Sequence, residues 1–298
     1  MKKKVIEFVG RVLATVSPTL ASRYWYWGLF KRPLRLNAPV TLNEKLMWLK
    51  LNTYKDNPLV TLCADKYRVR EYLEEKGCGG ILNELYGAWD SAEEIDWDSL
   101  PDSFVLKCNH GCGYNILCPD KSKLDIEATK AQLTRWLRED FWKKHAEIHY
   151  RDIPKKIICE AYLGEGLANE DYKIYCFHGK PCYILYCTAR EAGKPRFYFF
   201  DLDWNLCPIT KDGKRAEPGF TVEKPSRLKE MVEYAAILSA PFPYVRADFY
   251  HVEDRVVFGE LTFTPAGALD TNRLPETDLL FGSMLHLPND VSNSESDI

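Results

Sequence analysis

The sequence predicts an α+β fold in which a helical N-terminal lobe precedes two units that each contain a β-sheet. Two observations support this prediction. Apolar residues in the first third recur at helical spacing, whereas β-branched and aromatic runs separated by turn residues fill most of the remainder. We place the helical lobe at 1–98, a small unit at 99–158, a larger unit at 159–286, and a polar, disordered tail at 287–298.

The helical lobe contains start and stop signals for helices. Thr41 is followed three residues later by Glu44, which is the spacing of an N-terminal capping box. The charged amphipathic run at 64–77 ends in Gly77, a residue type that commonly terminates helices. We therefore expect this lobe to be helical over most of 41–76.

Both following units are predicted to contain sheets. In the small unit, two apolar runs flank a glycine-containing loop at 103–118, a helical pattern follows at 126–150, and a β-branched run lies at 155–163. In the larger unit, strand-like runs joined by turns surround one helical pattern at 226–240. The larger unit should therefore be an antiparallel-rich sheet with a helix against it.

Composition and charge exclude several classes of protein. The chain is 46% hydrophobic and 28% charged, an ordinary globular balance. Its net charge is -3 and its basic residues are scattered, so we expect no nucleic-acid partner. The 10 cysteines form no CxxC pair, which favours reduced, buried thiols in a cytoplasmic protein.

The N-terminal segment combines basic and aromatic residues. Glu7 and Arg11 interrupt its apolar stretch, which argues against a signal peptide, and no run reaches the ~18 apolar residues that span a bilayer. Basic residues interleaved with Trp25, Trp27 and Phe30 could place the segment on the inner face of a membrane. The alternative is a helix that packs on the domain, and the oligomeric state stays open.

A glycine-containing loop is the first candidate binding element. Lys107 ends a predicted strand, and a loop at 108–113 that contains Gly111 and Gly113 follows it directly. Backbone N–H groups approach phosphate oxygens where side chains do not block them, and a strand-end ammonium could meet the same phosphates. A tight hairpin with an edge lysine is the alternative, because the loop matches neither a Walker A motif nor GxGxxG.

A pair of carboxylates near the C-terminus is the second candidate element. Asp248 and Glu260 fall on two adjacent predicted strands in apolar surroundings, where their charges are costly unless paired. Arg246 lies on the same strand face as Asp248, two residues away. The pattern predicts a Mg²⁺ site, with a salt-bridge cluster on a solvated face as the alternative.

Taken in order along the chain, these elements make the sequence resemble the ATP-grasp superfamily, and more closely its branch for teichuronopeptide biosynthesis. The resemblance spans roughly 41–270, and its motifs are ADKYRVREYL, FVLKCNHGCGYNIL, IICEAYLGE, EDYKIYCFHGKP, and RADFY followed by FGELTFTPAG. It implies an ATP-grasp fold in which two α+β subdomains clamp ATP, with ATP and Mg²⁺ as cofactors.

The resemblance also implies roles for individual residues. Two lysines would bind the phosphates, the loop after the first strand would form a flap over them, a linker would read adenine, and an aspartate would bind ribose. The implied nucleotide-binding residues are Lys66, Lys107, His110, Gly111, Gly113, Glu160, Ala161, Tyr162, Leu163, Asp171 and Lys173. For Lys173, an exposed position on the surface of a strand is an equal alternative.

The implied metal and catalytic residues lie mainly in the C-terminal hairpin. Asp248 and Glu260 match magnesium carboxylates, while Arg246, together with Lys107, would be catalytic by steadying developing charge. Many family members have Asn where this chain has Thr262, a poorer metal ligand that could still bind through a water. One or two magnesium ions are therefore both compatible with the sequence.

The implied activity is ATP-dependent ligation of a carboxylate to an amine through an acyl phosphate. The branch implies an amino acid or other amine joined to a uronic acid of a bacterial capsular or cell-surface polysaccharide. Three alternatives stay open: a glycosyltransferase that uses Asp201 and Asp203, an ATP-grasp kinase-type phosphotransferase, and a noncatalytic nucleotide-binding or membrane-associated protein.

Overall fold

The structure is a computed structural model that describes residues 2–164, 171–188 and 195–288. Positions 289–298 of the predicted tail lie outside the described residues. The helices are α1 (Lys2–Val16), α2 (Pro18–Phe30), α3 (Leu42–Leu51), α4 (Pro58–Ala64), α5 (Val69–Glu75), α6 (Ile126–Leu137), α7 (Lys211–Lys214), α8 (Leu228–Ser239) and α9 (Pro275–Met284). The strands are β1 (Leu85–Trp89), β2 (Phe104–Cys108), β3 (Asn115–Cys118), β4 (Ile157–Ala161), β5 (Asp171–Phe177), β6 (Lys180–Thr188), β7 (Arg196–Phe200), β8 (Leu206–Cys207), β9 (Tyr244–Val252) and β10 (Arg255–Thr262).

The predicted capping box is confirmed at the start of α3. The Thr41 hydroxyl accepts the Glu44 N–H, and the Glu44 carboxylate accepts the Thr41 N–H in return. Most of α3 is buried, and it packs against α9 and against residues 265–268. The chain from 41 to 76 divides into three helices because Pro58 starts α4 and Asp65, in extended backbone, ends it.

The smaller sheet is antiparallel throughout, with the strand order β1-β4-β2-β3. The predicted strand, loop and strand at 103–118 are confirmed, with Lys107 opposite Asn115. Because β1 pairs with β4, this sheet begins before the boundary predicted at residues 98 and 99. The helix expected over 126–150 ends at Leu137, and single 3-10 turns and a left-handed Ala146 (φ 56°) follow it.

The larger sheet has the order β10-β9-β5-β6-β7-β8 and is also antiparallel. Helix α8 covers one face, where the Cys176 thiol points to the carbonyl oxygen of Ala235 at 3.9 Å. Since side chains alternate along a strand, Lys173 and Tyr175 of β5 lie on the opposite face. That opposite face carries the candidate site.

The N-terminal helices α1 and α2 pack against each other as a hairpin. Gly10 permits this contact, because a Cβ there would lie 2.2 Å from the Trp25 ring. Ala14, Ala21 and Ala146 form a small buried cluster that joins the hairpin to the rest of the protein. Across the described residues, no helix is long and apolar enough to span a membrane.

Candidate active site

A cleft of about 610 Å³ lies between the two sheets and collects side chains from distant parts of the sequence. Its walls come from the α4–α5 connection, from β2 and its loop, from the end of β4, and from β5, β9 and β10. Most residues predicted for the site line this cleft: Lys66, Lys107, Gly113, Glu160, Ala161, Tyr162, Leu163, Asp171, Lys173, Arg246, Asp248 and Glu260. Three others, His110, Gly111 and Thr262, are not part of its lining.

Two lysines line the cleft, and each is paired with a carboxylate. The Nζ of Lys107 lies 2.6 Å from Glu160 Oε2 on the neighbouring strand. The Nζ of Lys66 lies 2.8 Å from Glu260 Oε2, which joins the helical segment to the larger sheet. Both ammonium groups are therefore held at the cleft before any anion enters.

Asn109, which was not among the predicted site residues, fixes the position of Lys66. Its side chain donates to Asp65 Oδ1 at 2.7 Å and accepts the Lys156 N–H at 2.7 Å. Its carbonyl oxygen accepts the Lys66 N–H at 3.2 Å. A polar residue directly after a predicted phosphate-binding strand was the available signal, but its partners lie more than forty residues away.

The loop after β2 directs only some of its predicted site residues toward the cleft. Gly113 lines the cleft in the left-handed region (φ 80°), where a side chain would be strained. His110 is buried beneath the loop, and its Nε2 lies 3.2 Å from the carbonyl oxygen of Trp136. Burial, together with the Lys155 ammonium, lowers the pKa of His110 to about 4, so its ring is neutral at pH 7. Gly111 packs against the ring of Phe141.

A chain of ion pairs runs across the larger sheet. Lys173 Nζ lies 2.8 Å from Asp171 Oδ2 and 2.6 Å from Asp248 Oδ2. Arg246 meets the same Asp248 with two nitrogens, at 2.7 and 2.6 Å, in a bidentate contact. Lys173 is therefore buried and lines the cleft rather than the exposed surface of its strand.

The chain of contacts continues to Glu260 on β10. Thr262 accepts a hydrogen bond from Arg246 at 3.1 Å and donates one to Glu260 Oε1 at 3.0 Å. Burial alone would raise the pKa of Glu260, but Lys66 and Arg246 outweigh it and hold the pKa well below its usual range. Thr262 thus orients Glu260 from behind the lining of the cleft.

The last residue of β4, Ala161, has both of its backbone polar groups paired. The Ala161 N–H donates to the carbonyl oxygen of Glu84 at 3.0 Å, and its carbonyl oxygen accepts from Asn83 at 2.8 Å. Both polar groups of the Ala161 backbone therefore have partners within the protein.

Asp248 and Glu260 suit a magnesium ion in their chemistry and placement. They occupy directly opposed positions of β9 and β10, next to a bulge at Gly259. The described residues contain no group of three or more His, Cys, Asp or Glu that could hold a metal, so phosphate and water oxygens would have to complete the shell. Mg²⁺ at nucleotide sites is bound in this way, through one or two carboxylates.

Comparison with known protein families decides the classification. The model of the TupA-like ATP-grasp family matches residues 44–286, well over half of the chain. The chain belongs to the TupA-like ATP-grasp family. This family match confirms the ATP-grasp fold expected from the sequence and the resemblance to the teichuronopeptide branch.

Several solved structures match part of this chain at low sequence identity. D-alanine–D-alanine ligase from Bacillus anthracis, complexed with ATP, is 17% identical over 74% of this chain and 64% of its own, with a TM-score of 0.45. The enzyme of the same name from Helicobacter pylori is 13% identical over 82% and 69%, with a TM-score of 0.45. D-cycloserine synthetase DcsG is 14% identical over 76% and 71%, with a TM-score of 0.43. No curated protein matches the chain in sequence.

Proposed function

We propose that this member of the TupA-like ATP-grasp family is an ATP-dependent carboxylate-amine ligase that forms an amide through an acyl phosphate. One observation supports this proposal above the others. Four cationic side chains, Lys66, Lys107, Lys173 and Arg246, converge on one cleft with carboxylates suited to a metal. Phosphoryl transfer needs this kind of charge neutralisation and alignment, and it needs no protein nucleophile.

The nucleotide would lie along the cleft, with its phosphates toward the cations. In this proposal Lys66 and Lys107 exchange their present carboxylate partners for phosphate oxygens, while Gly113 leaves room for the loop backbone to approach. Tyr162 and Leu163 would border the adenine, and Asp171 would bind the ribose. His110 and Gly111 would act from beneath the loop, because neither lines the cleft.

Asp248 and Glu260 would hold magnesium, with Thr262 steadying Glu260 through its hydroxyl. Magnesium, when bound, would supply neutralisation of the phosphate charge. Since Asp248 and Glu260 now pair with Lys173, Arg246 and Lys66, the same positions already favour a positive charge beside them.

The proposed reaction has two steps. First, a carboxylate oxygen attacks the γ-phosphorus of ATP; the new O–P bond forms while the bond to the β-phosphate oxygen breaks, and ADP leaves with the electron pair. Second, a neutral amine attacks the acyl carbon; the C–N bond forms, the C–O bond to phosphate breaks, and the amine proton passes to the departing phosphate or solvent. Arg246 would stabilise the oxyanion of the tetrahedral species.

The acceptor pair is proposed from the family branch rather than from side-chain contacts. We propose an amino acid or similar amine and a uronic acid that belongs to a bacterial capsular or cell-surface polysaccharide. The rival glycosyltransferase reading rests on Asp201 and Asp203, but the structure gives Asp201 another role. Its carboxylate accepts the N–H groups of Asp203 and Asn205 at 3.0 and 2.8 Å and so shapes the turn between β7 and β8.

An assay of products separates these functions. The purified protein would be incubated with ATP, Mg²⁺, uronic acids and a panel of amino acids, and the products identified by mass spectrometry. Ligation predicts an amide, ADP and phosphate, with ADP release that depends on the amine. A phosphorylated product without an amide would indicate a kinase, and turnover of a nucleotide sugar without ATP would indicate a glycosyltransferase.

We further propose that the N-terminal hairpin contacts an anionic membrane surface. Val5, Phe8, Val9, Val12 and Val16 of α1 fall within about one third of the helix circumference and are exposed, Phe8 by 68% and Val16 by 76%. Buried residues such as Ala14 occupy the side of α1 that faces α2. The exposed apolar stripe is therefore separate from the face that packs on the protein.

Charge favours the same partner. Positions 1–35 contain eight basic residues and one acidic residue, a net +7, whereas the whole chain is -3 and the rest therefore carries -10. A basic segment with an exposed apolar stripe is typical of helices that lie on anionic lipid.

The protein should sediment with phosphatidylglycerol vesicles and not with phosphatidylcholine vesicles, and Phe8→Ser with Val12→Ser should reduce this binding. Equal sedimentation with both lipids would contradict the proposal.

A further inference from the structure

A second cavity, of about 450 Å³, adjoins the nucleotide cleft on the same face of the larger sheet. Lys173 and Arg246 line both spaces, so these two side chains form the wall between them. The floor of the cavity continues in register from Lys173 to Leu185 on β6 and to Phe199 on β7. A molecule in this cavity would therefore lie across Arg246 from the nucleotide.

The floor of the second cavity is apolar and aromatic. Tyr175, Leu185, Phe197 and Phe199 line it. Tyr175 and Phe199 meet edge to face at a centroid distance of 5.1 Å, which holds both rings in place. Such a floor suits the apolar face of a ring or a short carbon chain.

The rim of the cavity is cationic, and its carboxylates are engaged in contacts with other groups. Lys211 and Arg215 are exposed on and just after α7, and neither has an ion-pair partner among the residues that the structure describes. The two acidic residues of the lining are engaged elsewhere. Asp212 accepts the Phe197 N–H at 2.9 Å, and Asp270 accepts the Asn272 N–H at 2.8 Å and lies 3.2 Å from Arg273.

A buried guanidinium adds an independent sign of a ligand. The side chain of Arg273 is 1% exposed, and it lines the cavity. One of its nitrogens donates to Asp278 at 2.8 Å. Its Nε has no hydrogen-bond partner within the described part of the chain. A buried donor without a partner is costly, and an anionic ligand would satisfy it.

We propose that this second cavity binds the carboxylate substrate, and that this substrate is an organic acid with a second anionic group bound by Lys211 and Arg215. The inference rests on the proposed ligase function, because it places the reacting carboxylate at Arg246, beside the nucleotide. The second anion is a carboxylate, as in a dicarboxylic amino acid, or a phosphate, as in a phosphorylated uronic acid. Both sources share the same chemistry at the rim.

The test compares substrates with one and two anionic groups. ADP release would be measured with glucuronate, glucuronate 1-phosphate, glutamate and glutamine, each with ATP, Mg²⁺ and an amine. In the double variant Lys211→Ala, Arg215→Ala, we expect the KM for the two-anion acid to rise about 10- to 100-fold, the loss of one or two charge-assisted contacts. The KM for ATP and the KM for the one-anion acid should stay unchanged.

Lys214→Ala is the matched control, because Lys214 belongs to the same short helix but pairs with Glu276 outside the cavity. It should leave every KM unchanged. Comparison of the KM values for glutamate and glucuronate 1-phosphate shows whether the second anion is a carboxylate or a phosphate. An equal rise in KM for one-anion and two-anion acids in the double variant would overturn the inference.

Binding measurements separate failure of this inference from failure of the proposed function. Titration calorimetry would first measure the binding of a nonhydrolysable ATP analogue with Mg²⁺. It would then measure the binding of each acid to the protein that already holds the analogue. If the analogue binds and no two-anion acid does, the inference is overturned while nucleotide binding stands. If the analogue itself does not bind, the ligase function and the inference fall together.

Discussion

Two clusters of buried ionisable groups in this protein respond to burial in opposite ways. The first is the cleft network of Lys66, Lys173, Arg246, Asp248 and Glu260. The second, which we call the interior cluster, lies under α3 and consists of Lys50, His145, Glu147 and His149. Both are largely removed from water, so the difference between them comes from their partners.

In the cleft network, opposite charges overcome the cost of burial. Burial would lower the pKa of Lys173, but the Asp248 and Asp171 carboxylates raise it above its ordinary value. The same balance raises the pKa of Lys66, where Glu260 supplies the opposing charge. Lys173 and Lys66 are therefore held in their charged forms, ready to meet phosphate.

In the interior cluster, burial prevails. It lowers the pKa of Lys50 to about 8, despite the nearby Glu147 carboxylate, and it raises the pKa of Glu147. Burial also lowers the pKa of His145 to about 4 and that of His149 to about 3, with Lys50 adding to both shifts. Burial thus shifts every pKa in this cluster toward the neutral form, which is the behaviour of groups that serve packing rather than anion binding.

The comparison teaches that the direction of a pKa shift separates two uses of a buried charge. A cleft that must receive a triphosphate keeps its ions charged by pairing them, and it can exchange those partners. In the interior cluster, burial instead shifts the pKa values toward the neutral forms. Substitutions of the same type in the two clusters should therefore have opposite consequences for activity and stability.

The largest effect is expected at the carboxylates of the cleft. Glu260→Gln keeps the shape of the side chain but removes the charge opposite Lys66, and we expect ADP formation to fall by about 10³-fold, the upper end for one preorganised electrostatic group. Asp248→Asn should have a similar effect. Initial rates of ADP release measure the change, and thermal unfolding checks that the fold persists.

Glu147→Gln is the matched substitution in the interior cluster. The Glu147 carboxylate accepts the Thr264 hydroxyl at 2.7 Å, a contact that an amide oxygen can also make. Activity should stay close to that of the wild type. If Glu147→Gln lost as much activity as Glu260→Gln, the distinction between the clusters would fail.

A somewhat smaller effect is expected at Arg246. Arg246→Ala should reduce kcat by about 10² to 10³, because an oxyanion donor acts in the transition state rather than in the ground state. Arg246→Lys should recover only part of this loss, since an ammonium cannot reproduce the bidentate contact with Asp248. Wild-type turnover with either variant would reject the role.

The sequence predicted the parts of the site whose signals are local. Lys107 at the end of a strand and Asp248 two residues after Arg246 could be recognised because strand periodicity fixes which side chains share a face. That such distant residues share one cleft was predicted from the family resemblance. In the structure, Lys107 and Glu260 both line that cleft.

The other parts of the site and fold could not be predicted from the sequence because they depend on long-range contacts. Asn109 joins Asp65 to Lys156. The hydrogen bond between Asn83 and Ala161 depends on the pairing of β1 with β4, and β1 lies outside the predicted bounds of the small unit. The early end of α6 likewise depends on tertiary packing, since Phe141 contacts Tyr114 and Tyr150 at centroid distances of 5.7 and 5.3 Å. No local pattern specifies such partners.

The smallest effect is expected at Lys50 and concerns stability, not catalysis. Lys50 is fully buried, and its Nζ donates to the carbonyl oxygen of His145 at 2.7 Å. Its folded pKa of about 8 lies below the value of 10.5 for an unperturbed lysine. The unfolded chain therefore binds more protons than the folded chain between these values, and stability must rise as the pH climbs through this window.

Comparison of the wild type with Lys50→Met isolates this contribution. The variant lacks the titrating group, so the wild type should gain stability relative to it from pH 8 to pH 10.5, by at most on the order of 3 kcal/mol at 1.4 kcal/mol per pKa unit. Urea unfolding at pH 7, 9 and 10 measures the difference, and the pKa values of His145 and His149 keep both rings neutral throughout. Parallel stability curves for the two proteins would mean that Glu147 keeps Lys50 charged. The interior cluster would then resemble the cleft network, and the direction of a pKa shift would no longer distinguish them.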